Sequence, residues 1–292
     1  MDKLVAYRLR FRCRATTAMN LPVYKGSMLR GAFFAALRRD FCLNKSLLSC
    51  LGCAAHAACP ICSLAATVDE AGPRGTEVPR PFSLQPILET ATVYKEGDTF
   101  EFGLTLFGDS LPLYPYAILA AKAMGEAGMG NRALSPGRFS LVEGCAVDPM
   151  SGARTTLYMH PDTTVRVPDS PVTHRQVMEY ASRIPTERAT LRFLTPLRLV
   201  NEGTLVKKLP FRILMQRLLR RLTDIYQYCC HEKLDMDFAG LLEKADQIAV
   251  VEDRTEWRDL SSYSSRRGRS TPIGGLVGEI TLAGRAGAVH GR

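Results

Sequence analysis

LVAYRLRFRCR, residues 4–14, alternates apolar and basic side chains without a break. Val5, Tyr7, Leu9, Phe11 and Cys13 share one side, and Arg8, Arg10, Arg12 and Arg14 the other. A period of two belongs to a β-strand with one face on a core. The arginine row is then either a solvated face or a sheet surface turned towards a polyanion. From Ser27 the period becomes helical. Met28, Leu29, Ala32, Phe33, Ala36 and Leu37 form a stripe, with Arg30, Arg38 and Arg39 off it, as far as about Phe41.

Working outward, residues 82–88 and 99–107 (TFEFGLTLF) read as strands. Pro112 and Pro115 open a helix through Ala117, Ala120, Ala121, Met124 and Ala127, which Gly128 and Gly130 end. Residues 138–146 (RFSLVEGCA) make another strand. The order strand, helix, strand, strand, helix, strand is that of an α+β, ferredoxin-like domain, a helix layer on an antiparallel sheet, over residues 1–150. Residues 151–186 read as a proline-rich linker with one short helix, for which Ser170 is the expected N-cap and Pro171 the first helical position. The pattern restarts with a strand at 189–200 (ATLRFLTPLRLV) and a helix from Pro210 to about His231. A short helix near 236–244, two strands around 247–266 and a glycine-punctuated strand at 273–284 (IGGLVGEITLAG) fill the second domain, 187–292.

Composition narrows the class. The 292 residues suit two domains better than one. Thirty-eight Lys and Arg against 29 Asp and Glu leave a net charge of +9, which favours a polyanionic partner. No apolar run approaches the roughly 20 residues that span a bilayer, and no membrane association is expected. Nine cysteines, an odd number with five in one segment, argue against an extracellular disulfide framework. The opening residues lack the pattern of a secretory signal, so the expected place is the cytoplasm.

Three motifs carry chemistry. Cys50-x-x-Cys53, five residues, then Cys59-Pro-x-Cys62 sit in a cysteine-rich insert at 42–66. Two close thiolate pairs can wrap one tetrahedral ion, zinc being expected. The short spacing leaves an iron–sulfur cluster open, and Cys42 could stand in for Cys62. Four thiolates would leave no position for a catalytic water, so the ion is structural. The second motif is Arg266, Arg267 and Arg269 followed by Gly274, Gly275 and Gly278, where backbone N–H groups could approach a phosphate or where glycine merely serves a β-bulge. The third is Tyr24-Lys25-Gly26-Ser27 with Arg30, a helix start that favours an anion but also reads as an ordinary capped end. Arg217, Arg220 and Arg221 add a basic face to the long second-domain helix. No hydrolytic motif is present: His-Glu-x-x-His and Gly-x-Ser-x-Gly are both missing.

Taken in order, GSMLRG, the cluster with Cys59-Pro60, PRPFSLQP, the Gly97-Asp98 turn into LTLFG, and GEAGMGNR resemble the N-terminal half of the CRISPR precursor-RNA-processing endoribonucleases of the RAMP superfamily. TPLRL, PFRILMQRLLRRL, Trp257 before SSYSSRR, and GGLVGEITLAG resemble their C-terminal domain. The resemblance implies two tandem ferredoxin-like, RRM-like domains, the second lacking the last helix and strand found in relatives. It also implies a CRISPR repeat RNA as partner, other effector-complex subunits as further partners, and a role in antiviral defence. By the same resemblance, cleavage is expected to need no metal or other cofactor, a ribose 2′-hydroxyl attacking the adjacent phosphate and leaving a cyclic phosphate. A Tyr, His and Lys set around the first helix is common in the family, which points to Tyr24, Lys25 and His56 as catalytic residues. Ser27, Arg30, Arg217, Arg220, Arg221, Arg266, Arg267, Arg269, Gly274, Gly275 and Gly278 would hold RNA. A non-catalytic repeat-binding subunit of an effector complex is the alternative.

Overall fold

Leu9, Phe11, Cys13 and Ala15 are buried while Arg12 and Arg14 stay exposed, which makes strand β1 (Ala6–Ala15) the middle of the larger sheet. The structure is a computed structural model describing residues 2–47, 50, 52–65, 67, 78–130, 136–168, 171–264 and 269–284. After β2 (Met19–Asn20), helix α1 (Gly26–Phe41) buries Leu29, Phe33, Ala36 and Leu37. The insert holds a 3-10 turn at His56–Ala58 and a short helix α2 (Pro60–Leu64). Strands β3 (Phe82–Gln85), β4 (Val93–Tyr94) and β5 (Thr99–Phe107) follow. A 3-10 segment, Gly108–Leu113, leads to helix α3 (Tyr114–Ala127) and strands β6 (Phe139–Val147) and β7 (Arg154–Met159).

These strands form an antiparallel sheet in the order β3-β5-β1-β6-β7, with Phe11 opposite Phe102 on one side and Gly144 on the other. Its first four strands have the ferredoxin-like arrangement, and α1 and α3 pack together over it. Gly125 lets α3 come close to β6: a Cβ there would stand 2.1 Å from the Phe139 carbonyl oxygen. In the core Phe11 packs on Phe102 at a ring separation of 5.0 Å, and Phe100 meets Phe139 and Tyr94 edge-on at 5.2 and 5.4 Å.

Three expectations change in detail. Pro112 lies in the 3-10 segment, so the helix opens at Tyr114 with Pro115 in its first turn. Arg154–Met159, inside the expected linker, hydrogen-bonds to β6 as a fifth strand. The short helix α4 (His174–Ala181) starts after Thr173, not after Ser170, which falls outside the described residues. Thr173 and Gln176 form a reciprocal cap: Gln176 N–H donates to Thr173 Oγ1 (3.4 Å) and Thr173 N–H to Gln176 Oε1 (2.8 Å). Pro171 stays outside the helix because Val172 pairs with Ala6 of β1.

Contacts divide the chain into two units, Met1–Tyr180 with Ile225–Glu232, and Ala181–Asp224 with Lys233–Arg292. The second contains β8 (Arg188–Leu197), β9 (Val200–Asn201), β10 (Thr204–Leu205), the part of α5 (Phe211–Cys230) up to Asp224, α6 (Phe238–Asp246), β11 (Ile248–Arg258), β12 (Ser261–Ser264), β13 (Arg269–Pro272) and β14 (Gly275–Gly284). Its sheet runs β11-β14-β8, and Leu214 of α5 is buried with Leu276, Ile280 and Leu282 of β14. That order matches β3-β5-β1 of the first sheet. The position β6 takes beside β1 has no strand beside β8 among the described residues. Both sheets are α+β and ferredoxin-like, the second with three strands in place. Of the two strands expected around 247–266, β11 joins the sheet and β12 pairs with β13 in a separate hairpin. Among the described residues no helix is long and apolar enough to cross a membrane.

Candidate functional site

Lys25 is the residue before α1, and its carbonyl accepts the Leu29 N–H at 2.9 Å. Its side chain turns inward and is 0% exposed. Nζ donates to the carbonyl oxygens of Glu89 (2.7 Å) and Val23 (3.3 Å), tying the start of α1 to the chain after β3. Burial lowers the affinity of this ammonium for its proton, and the nearby Glu89 charge opposes the effect. A side chain enclosed in this way ties the loop to the helix start and is not open to solvent, unlike the accessible catalytic group expected of Lys25. Tyr94, on β4, shares this neighbourhood. Burial first, then Glu89 and Asp98, raise its pKa, and its hydroxyl finds no partner among the described residues.

Tyr24 lies half-buried over the first turn of α1. A Cβ on Gly26 would sit 3.4 Å from its Cε1 and 3.5 Å from its hydroxyl oxygen. Ser27 is half-buried one step on, and Arg30 is exposed on the next turn. The phenol, the hydroxyl and a guanidinium therefore share the start of α1, where helix N–H groups point outward. On the sheet, the arginine row of β1 is partly neutralised. Arg12 pairs with Glu143 at 3.3 Å, Arg10 and Arg154 both reach Glu101 at 3.8 and 3.9 Å, and Arg8 donates to Gln85 at 3.3 Å.

The cysteine insert lies at the other end of α1. Phe41 and Cys42 line one pocket with Cys50, Cys53, Cys59 and Cys62. None of the cysteines is in a disulfide among the described residues. The Cys62 thiol is buried and in hydrogen-bonding reach of those of Cys59 and Cys50; burial first, then Cys50, raises its pKa. Asn44 Nδ2 approaches the Cys53 sulfur at 3.7 Å. His56 sits in the 3-10 turn, and its Nε2 is buried without a partner among the described residues. No group of three or more His, Cys, Asp or Glu that could hold a metal ion occurs among the described residues. Sixteen residues of α1 separate Lys25 from Cys42, about 24 Å at the helical rise. The structure thus brings Tyr24, Lys25, Ser27 and Arg30 together and leaves His56 with the cysteines.

In the second unit the glycines serve strand packing. Gly278 has φ +111°, at a register shift between Leu276 and Gly278, and a Cβ there would stand 2.3 Å from the Arg254 carbonyl oxygen. Gly275 would clash at 2.6 Å with the Leu197 carbonyl. These contacts support the β-bulge alternative for all three glycines, Gly274 included, whose Cβ would meet the Arg258 carbonyl oxygen at 2.5 Å. On α5, Arg217 donates to the Val200 carbonyl, Arg220 is exposed and Arg221 is half-buried. Arg266 and Arg267 fall outside the described residues, and Arg269 begins β13. Sequence reasoning passed over a cluster around Trp257, where Arg198 and Lys207 lie 5.9 and 5.8 Å from the indole centroid. Its only sequence signal is a lone tryptophan with basic residues at distant positions, which nothing in linear spacing joins.

A search of curated proteins finds no match. Among solved structures, the chain is similar to one titled "Partial Cas6-RT-Cas1--Cas2 complex", with 15% identity and a TM-score of 0.54 over 97% of this chain and 40% of that one. It is also similar to Cas6 of Thermus thermophilus, with 18% identity and a TM-score of 0.49 over 96% and 84% of the two chains. At these identities likeness speaks for the fold, and the first match carries it over both units. The family model AF_1859_N, an N-terminal domain, matches residues 4–170. Matched over more than half of its length, this chain belongs to the AF_1859_N family through its N-terminal domain.

Proposed function

We propose that the protein binds CRISPR repeat RNA and cuts precursor CRISPR RNA within the repeats. The observation that carries this reading is the tandem ferredoxin-like fold in one chain with net charge +9, a fold it has in common with a structure titled as a Cas6 complex. Ferredoxin-like sheets with basic surroundings suit a folded or single-stranded RNA, and the surplus charge supplies the phosphate attraction. In the proposed reaction a ribose 2′-oxygen forms a bond to the adjacent phosphorus as the bond to the 5′-oxygen breaks. The 2′-hydroxyl proton leaves to a base, and the 5′-oxygen takes up a proton. A cyclic phosphate and a free 5′-hydroxyl result. The start of α1 is where we propose the cut occurs, with Tyr24 at the reacting ribose and Ser27 and Arg30 at the phosphate.

The test is purified protein with repeat hairpin RNA in EDTA. A defined cut with a cyclic-phosphate end supports the reading. Intact but retarded RNA leaves a repeat-binding subunit of an effector complex, and RNA neither cut nor retarded overturns both. Tyr24→Phe should slow the cut by about 10²-fold or more with RNA affinity unchanged, the scale of losing a positioned acid or base. His56→Ala should cut at the wild-type rate.

The donors of the cysteine insert suit a structural metal ion by their chemistry, although among the described residues they are not, as they stand, gathered at ligand spacing. Five thiols line one pocket, Cys62 is within hydrogen-bonding reach of Cys50 and of Cys59, and a buried imidazole nitrogen nearby is unpartnered among the described residues. We propose zinc on Cys50, Cys53, Cys59 and Cys62, the thiols moving onto the ion as they lose their protons. Its contribution is to fold the insert, and no step of the cut passes through it.

A further inference from the structure

We propose that Trp257, Arg198 and Lys207 form a binding place for a single-stranded stretch of RNA. The cations take phosphates and the indole takes a base. This inference rests on the RNA-binding reading and adds a contact that reading does not contain.

Trp257 lies on β11 opposite Leu276 of β14 and is partly buried. Its Nε1 donates to Asp259 Oδ1 at 2.8 Å, which fixes the orientation of the ring. Arg198, one residue past β8, and Lys207, two residues past β10, approach the ring from separate segments. Arg198 Nη1 also donates to the Gly274 carbonyl at 3.0 Å. Among the described residues neither cation has a carboxylate within ion-pair distance. Other arginines of the unit do: Arg212 pairs with Asp246, Arg254 with Glu252 and Glu279, and Arg258 with Glu256.

Two like charges gathered at one ring repel each other, and the ring quadrupole returns only part of that cost. A phosphate near both removes the repulsion. When one cation moves from the ring to a phosphate, part of the indole becomes free for a base to stack on. Base stacking on an aromatic beside Arg or Lys is the common chemistry of single-strand recognition.

The chain has one tryptophan, so its emission reports on this place alone. Unlabelled oligoadenylate is titrated into the full chain while tryptophan emission is followed, and a labelled copy gives binding by anisotropy. Emission should change in step with anisotropy. Lys207→Gln should weaken binding several-fold and lower the slope of log affinity against log salt by about 0.7, one single-strand phosphate contact. Trp257→Phe should keep most of the affinity, and Trp257→Ala should lose more. Because Ala also removes packing, the exposed Lys207 decides. Binding by anisotropy with emission unchanged and Lys207→Gln at wild-type affinity overturns this site and leaves RNA binding elsewhere. No anisotropy change with oligoadenylate overturns this site, and repeat hairpin RNA that fails to bind as well overturns the RNA reading with it.

Discussion

An ammonium moved out of water costs several kcal/mol unless it finds acceptors. Lys25 finds two, the carbonyls of Val23 and Glu89, but both are neutral dipoles, and the N-terminal end of α1 disfavours a cation. Its folded-state pKa therefore lies below the ordinary 10.5. Between the two values the unfolded chain holds more protons than the folded one, so stability rises with pH through that window. Compared with Lys25→Met, the wild type should gain stability as pH is raised from neutral towards 10.5, measured as the difference between their urea midpoints. A difference constant with pH would show the side chain to be solvated. Nothing in the run Tyr24-Lys25-Gly26-Ser27 separates an inward lysine from an outward one, because a helix start accepts either. The glycines of β14 were more legible: the bulge reading needs only backbone sterics, and Gly278 at φ +111° supplies them.

At the scale of elements, β1, α1 and α5 were legible because each carries a long run of one period with a polar opposite face. The β7 strand was not, since six residues at a sheet edge give too little alternation to outweigh the surrounding prolines. Nor was the separation of His56 from Tyr24. Linear order puts both near one helix, whereas the length of α1 puts them at opposite ends of it. The insert supplies the test at this scale. Its helices are three and five residues long, too short to persist on their own propensity; Ile61, Leu64 and Ala65 pack into the main core, and the proposed ion would hold the rest of the insert. With an ion there, elemental analysis of the native protein should give about one zinc per chain. Cys50→Ser or Cys62→Ser should lose it and lower the melting temperature, Cys42→Ser should keep it, and a strong chelator should reproduce the Cys62→Ser result. Metal-free protein of full stability would leave the thiols as a plain buried cluster.

For the whole molecule the question is where the surplus charge acts. Residues 181–292 hold 19 Lys and Arg against 13 Asp and Glu, and residues 1–180 hold 19 against 16. The larger excess thus belongs to the shorter part. In the larger sheet, Glu101 and Glu143 already take up Arg10, Arg12 and Arg154, so the strand whose arginines are most conspicuous in sequence is not the freest source of cations. A net charge spread as a diffuse field and one concentrated in discrete phosphate contacts differ in their response to salt. Discrete contacts release counterions, and about six of them on a single strand lower affinity by about 10²–10³-fold between 50 and 200 mM salt. Repeat RNA binding should show a slope of that size. Neutralising the partnered Arg12 (Arg12→Gln) should barely alter it, because that guanidinium is already engaged by Glu143. Substitution of exposed cations such as Arg30 and Arg220 should each reduce it. A slope near zero, with tight binding kept at high salt, would mean that stacking and shape hold the RNA and that the charge serves some other partner.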